Sequence, residues 1–481
     1  MKNRSSFFIL ATLTAAAVAP LLQGCHRVRT LFGDDTEQAF ADYQSATAAG
    51  DLSGARVALQ TLVSADQANP DYWTELGKVD LQLGDYSGAY DALSHAHELD
   101  RTDVQVLATL TQLALMSGQV QVADEQAKTL ALLAPEHPVV TLVRGYVALE
   151  AGDLDKADAK ADELLSRDST SSDAKILKTR ILIGRQRIDD AIALLEAQHK
   201  SVPDDRPAMR ALTTLYKSRD DWRNVARVQT DLHKLDPNDG TATLMLTEAL
   251  LRSGQVAAAH QISTPLLSPS ASPQLMEAIL QSWARFVPTG TALPDAVKLA
   301  SAVSGDRRVI FANYFNQVNR PDIAAALLGH SQLPARPANL LRNAVFAQAL
   351  ALQGRTVEAK QLFDLILERE PDQIDALRGR SALEARSGMT KEAIVDAQRL
   401  ISVTPKTGED RLLLARAYLA AGNRNDVRRT LWDAFQDLPN DERILAALRS
   451  ALLSTGDVEG AKRVMDEFAD KRSASLEKEL I

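Results

Sequence analysis

The chain has 481 residues, of which 45% are apolar, 24% charged and 5% aromatic, and it carries a formal charge of -9. This is an ordinary globular composition and excludes a disordered chain or a bundle of membrane spans. An acidic balance without any basic run excludes a nucleic-acid surface, and the single cysteine, Cys25, leaves no internal disulfide to form.

The first element in chain order is a leader. Lys2 and Arg4 form a basic head, and Phe7 to Ala19 form an apolar stretch, shorter than the roughly 20 residues a helix needs to cross a bilayer. The stretch runs into Leu21-Leu22-Gln23-Gly24-Cys25. This resembles the lipobox of bacterial lipoprotein precursors, with Leu22 and Gly24 at the aliphatic and small positions and Gln23 as a less usual middle residue. The resemblance implies that residues 1–24 are a cleaved lipoprotein signal peptide. It also implies that Cys25 carries a diacylglyceryl thioether and an amide-linked acyl chain, and that residues 25–35 form a lipidated tether. Losing Lys2 and Arg4 takes the charge from -9 to -11, so the acyl chains, not the surface, would hold the protein at a membrane. His26 stands where lipoproteins retained at the inner membrane usually carry Asp, which implies the outer membrane with the body in the periplasm.

From residue 36 onward the chain repeats. Gly50, Gly84, Gly118 and Gly152 stand 34 residues apart, and the same step reaches Gln186, Asp220 and Gly254. A second series runs through Arg320, Gly354, Gly388, Gly422 and Gly456. Apolar residues keep helical spacing on both sides of each marker. In 70–102, Trp73, Leu76 and Gly77 precede the Gly84-Asp85 turn, and Ala89, Leu93 and Ala96 follow it. Five residues after the markers come Ala55, Ala89, Ala123, Ala157, Ala191, Ala259, Ala325, Ala359, Ala393 and Ala461, with Val225 and Val427 as exceptions. Small residues there allow helix axes to approach to about 8–10 Å. Seventeen residues after the markers come Pro135, Pro203, Pro237, Pro337, Pro371, Pro405 and Pro439, where a helix must stop.

A helix-turn-helix period of 34 residues resembles the tetratricopeptide repeat. The resemblance implies an all-α, right-handed superhelical solenoid of about 13 hairpins, stabilised by stacking because helices of about a dozen residues are marginal alone. The expected organisation is an N-terminal array over 36–271, an irregular repeat over 272–305, a C-terminal array over 306–475 and a charged tail over 476–481. The irregularity shows in the phase, since Gly254 to Arg320 is 66 residues, two short of two repeats. Thr264 to Pro273 is rich in Pro and Ser, and Val287 to Pro294 replaces the tight turn, while Leu275, Ile279 and Trp283 keep helical spacing between them. Two readings stay open here: a degenerate repeat that shifts the superhelix, or a hinge or docking site between two arrays.

No phosphate-loop, HExxH or GxSxG motif is present. His95 and His97, two apart, fall on different faces of a helix. Asp85, Asp153 and Asp457 follow turn glycines, where they cap second helices. The expectation is therefore no enzyme, no metal and no cofactor. In the tetratricopeptide family the first helix of each hairpin lines a concave groove. The family's groove positions fall here on Lys78, Tyr146, Arg180, Arg210, Glu248, Tyr314, Arg378 and Arg416. The Lys and Asn set of the family's two-carboxylate clamp is missing, so that activity does not carry over. A net basic, partly aromatic lining on an acidic chain leaves two readings: ordinary solvated groove residues, or a seat for an acidic peptide or an anionic glycan stacked on Tyr146 and Tyr314. Lipobox plus array resembles lipoproteins of exopolysaccharide export, including exosortase-associated systems, and others that pilot secretins or pilus pores. That resemblance implies a non-enzymatic, outer-membrane-anchored scaffold that faces the periplasm and binds envelope proteins.

Overall fold

The computed structural model describes residues 34–287, 294–329, 333–334 and 336–479. Cys25, the lipobox and the tether as far as residue 33 lie outside the described residues. Among those described there are 26 α-helices, two short 3-10 turns and no strand. The helices form successive pairs, from Asp34–Ala49 with Leu52–Ala65 to Glu442–Ser454 with Val458–Glu479, so the fold is all-α and built from tetratricopeptide-type hairpins.

Each tight turn depends on one residue in the left-handed region. Gly84 has φ 77°. Its N–H donates to the Leu81 carbonyl at 3.2 Å and the Asp85 N–H donates to the Asp80 carbonyl at 2.9 Å, which satisfies the end of the first helix. Asp85 then accepts from the Gly88 N–H at 2.9 Å and caps the second helix. Asp153 and Asp457 cap in the same way. Gln186 (φ 58°) and Asp220 (φ 56°) hold this conformation without being glycine. The expected marker at Arg320 is corrected to Asn319, which has φ 60°. Arg320 has φ -120° and precedes Pro321, whose ring restricts the residue before it to extended backbone.

The alanines five residues past the markers seat the helix pairs: Ala89, Ala157, Ala191, Ala359 and Ala393 are fully buried. Gly77 permits the close approach in its own hairpin, since a Cβ there would lie 2.6 Å from Leu93 Cγ. Pro135, Pro203, Pro237, Pro371, Pro405 and Pro439 each stand two residues past the end of a second helix. Pro337 does not. It opens the 3-10 turn Pro337–Asn339, because the second helix of its hairpin already ends at Leu327.

The described residues form two compact units that divide between Ala208 and Met209, inside the helix Arg206–Ser218. The core of the first unit includes a cluster with Leu107, Leu130, Val143 and Leu177. The second includes Leu431, Phe435, Ile444 and Val464. The irregular repeat lies inside the second unit, not at the division. Its helix Pro273–Phe286 packs on the first helices Gly240–Arg252 and Asp306–Gln317. Ile279 and Trp283 are fully buried, and the Trp283 indole donates to Ser263 Oγ at 3.3 Å. The Pro/Ser-rich stretch contains the 3-10 turn Thr264–Leu267, which places Leu267 in the core. At the C-terminus residues 476–479 continue the helix Val458–Glu479.

Candidate functional site

In the first unit, helices Val104–Met116, Pro138–Glu150 and Ser172–Gly184 bring polar side chains together on one face. The Arg180 guanidinium lies over the Tyr146 ring, 5.1 Å from its centroid. Gln112 Nε2 donates to Asp173 Oδ2 at 3.0 Å, reaching past the intervening hairpin. Burial pushes the Tyr146 hydroxyl above its ordinary range, against the opposing pull of Arg180. Burial also pushes the Asp173 carboxyl up; the Gln112 hydrogen bond offsets this and the Asp205 charge adds to it. Tyr146 is only 8% exposed, so this ring already has a cation on it and little free face. Lys78 is elsewhere on the unit, exposed and paired with Glu75 at 2.7 Å. Glu75 also accepts from the Tyr43 hydroxyl at 3.0 Å.

In the second unit the groove candidates separate. Tyr314 is 2% exposed and packs against Phe315, ring centroids 5.4 Å apart. Its expected role as a stacking platform is corrected to a core role, because no ring face is open. Arg378 donates to both oxygens of Asp410, at 2.8 and 3.0 Å, and Asp410 is fully buried. Burial opposes the Arg378 charge, but Asp410 outweighs it and holds the guanidinium above its ordinary range. Arg378 is thus occupied within the fold. Arg210 and Arg416 are exposed and make no ion pair among the described residues. Glu248 accepts from Arg252 Nε at 2.9 Å.

Arg252, which no groove position predicted, belongs to a site that shares only Glu248 with the expected groove set. It ends the helix Gly240–Arg252, where a cation is favoured by the helix dipole. Its guanidinium sits 4.0 Å from the Trp222 ring centroid and 4.5 Å from that of Phe286. Across from it, 3.8 Å away, is a carboxylate oxygen of Glu442, from the last hairpin. Around this meeting point is a cavity of about 630 Å³ lined by Trp222, Met245, Arg252, Arg285, Glu442 and Phe468, among others. Arg285 is exposed and its guanidinium lies 4.9 Å from the Phe286 ring centroid. Arg443, also on the lining, is held by both oxygens of Asp441 at 3.1 and 2.8 Å. The arrangement offers guanidinium donors beside aromatic and apolar surface, a combination suited to binding. Among the described residues no cluster of three His, Cys, Asp or Glu is placed to hold a metal, and no helix is long and apolar enough to cross a membrane.

A family model described as the Psidin N-terminal TPR repeats region matches residues 143–271. The chain is similar to the cellulose synthase operon protein C of Xanthomonas axonopodis pv. citri (strain 306). The two are 24% identical over 450 residues, covering 86% of this chain and 28% of that protein. The protein of the same name from Pseudomonas fluorescens (strain SBW25) is 24% identical over 347 residues, covering 69% and 25% respectively. The chain therefore spans little more than a quarter of the length of these relatives. Among solved structures, a tetratricopeptide repeat protein from Parabacteroides merdae ATCC 43184 aligns with a TM-score of 0.33 and 17% identity, over 52% of this chain and 99% of that one. The APC/C hetero-tetramer Cut9-Hcn1 aligns with a TM-score of 0.31 and 14% identity, over 97% and 99%.

Proposed function

We propose that this protein is a lipid-anchored periplasmic scaffold that binds protein partners of an exopolysaccharide synthesis and export machine, without catalysing a reaction itself. The similarity to two cellulose synthase operon proteins over most of this chain carries the polysaccharide part of the reading. The hairpin array supports the binding part, because stacked repeats present extended surfaces that suit partners. The Leu22, Gly24 and Cys25 pattern supports the anchor, at about 0.8 kcal/mol for each acyl methylene buried. Stacking of a glycan on Tyr146 and Tyr314 is not retained, since both rings are buried.

Crosslinking in intact cells, followed by recovery of the tagged full chain, tests the reading. The expected result is specific capture of polysaccharide synthase or export proteins, with Cys25→Ser shifting the chain from the membrane to the soluble periplasmic fraction. Capture of no envelope protein above an untagged control contradicts the scaffold, and unchanged membrane retention of Cys25→Ser contradicts the anchor.

A further inference from the structure

We propose that the cavity of the second unit is a carboxylate-binding site for an acidic segment of a protein partner, with Arg252 and Arg285 as receptors and Glu442 as an internal stand-in for the ligand's carboxylate. The proposal rests on the reading of the chain as a protein-binding scaffold and names the chemistry of one partner.

Arg252 is fixed before any ligand arrives. Trp222 and Phe286 each stack on its guanidinium, at 4.0 and 4.5 Å, and Glu248 holds Nε at 2.9 Å. Its remaining N–H donors form a rigid fork suited to paired contacts with a carboxylate. The group now facing that fork is Glu442, at 3.8 Å and with its side chain 45% exposed. That distance is beyond a hydrogen bond, and although the Arg252 side chain is only 14% exposed, the carboxylate that faces it at this length is open to water and gains little from the pair. Glu442 is therefore displaceable.

The second receptor is open. Arg285 shares the Phe286 ring with Arg252, at 4.9 Å, and makes no ion pair among the described residues. Arg285 thus brings a second cation to the same ring, and its charge, unlike that of Arg252, has no carboxylate on it. The rest of the lining selects the kind of anion. Glu248, Asp437, Asp441 and Glu442 border the cavity and disfavour a polyanion, while Met245, 40% exposed, and Leu438 offer apolar contact. An isolated acidic side chain among apolar neighbours fits both conditions. Groove-binding peptides of this kind gain specificity from a few placed polar groups in an otherwise apolar seat.

Titration calorimetry of the full chain with a capped pentapeptide that has one glutamate between two leucines on either side, and with the counterpart in which glutamine replaces the glutamate, tests the site. The glutamate peptide is expected to bind at least about tenfold more tightly than the glutamine peptide. Arg285→Glu, a change at an exposed position, is expected to weaken it by about tenfold or more, and Glu442→Gln to tighten it severalfold by removing the internal competitor. Equal binding of the two peptides, no binding at millimolar concentration, or an unchanged affinity in Arg285→Glu overturns the proposal. So does binding of an acidic polysaccharide that Arg285→Glu abolishes when the peptide does not bind. If Arg285→Glu retains every envelope crosslink and the peptides show no preference, the site falls while the scaffold stands. If the wild type captures no envelope partner, it is the scaffold that falls.

Discussion

Gln186 occupies a left-handed backbone position, φ 58°, that most of its counterparts along the chain give to glycine. A side chain with a Cβ crowds its own carbonyl there, at a cost of about 1–2 kcal/mol. Part of that gain is offset because glycine adds freedom to the unfolded chain. Gln186→Gly is therefore expected to stabilise the protein by roughly 0.5–1 kcal/mol, read as a higher urea midpoint at unchanged slope. Arg378 tests the opposite case. Its bidentate partner Asp410 is fully buried, so Arg378→Ala strands a carboxylate and is expected to cost about 3 kcal/mol or more, measured in the same titration. A free groove cation would lose almost nothing. The partner of Arg378 was legible in principle, because it stands 32 residues ahead, close to the repeat period that sets one hairpin beside the next. Reading groove positions one residue at a time missed it.

At the scale of the element, the hairpin was almost wholly written in local residues. The turn glycines, the aspartates that cap after them and the alanines five residues on are local steric and hydrogen-bond requirements, so each could be read from spacing alone. The departures are local too: Pro321 moves a turn back to Asn319, and a second helix of only seven residues, Pro321–Leu327, leaves Pro337 in a different place. Contacts that skip a hairpin are less visible. Gln112 meets Asp173 past the helix Pro138–Glu150, and nothing in a 34-residue period marks that pair. Burial raises the Asp173 carboxyl, so the folded chain holds this proton to a higher pH than the unfolded chain does. Its contribution favours folding in acid and is lost as pH rises from the ordinary carboxylate range through the raised value. Asp173→Asn keeps an acceptor for Gln112 and removes the buried charge. The variant is expected to melt above the wild type at pH 7, with the gap closing as the pH falls to 4. A constant gap at both pH values would show that charge is not the cause.

For the whole molecule, the architecture was legible in the repeat spacing, but of the expected groove positions only Glu248 falls on the lining of the cavity. The cavity in the second unit joins Trp222, Arg252 and Arg285 to Glu442 and Phe468, and so depends on how the hairpins of that unit curve until early and late ones meet. Curvature accumulates from small rotations at every interface, so spacing reveals the neighbours of a hairpin but not the hairpins it meets several repeats later. Two weak signals were present: Trp222 opens a second helix where most others have an aliphatic residue, and Arg252 lies just before the Gly254 turn. The most direct test is to delete the gene in the strain that encodes it and measure both secreted polymer and synthase activity in isolated membranes. The scaffold account predicts that secretion falls and is restored by the full chain, while synthase activity per enzyme is unchanged. Undiminished secretion, or turnover of polymer by the purified protein, would contradict it.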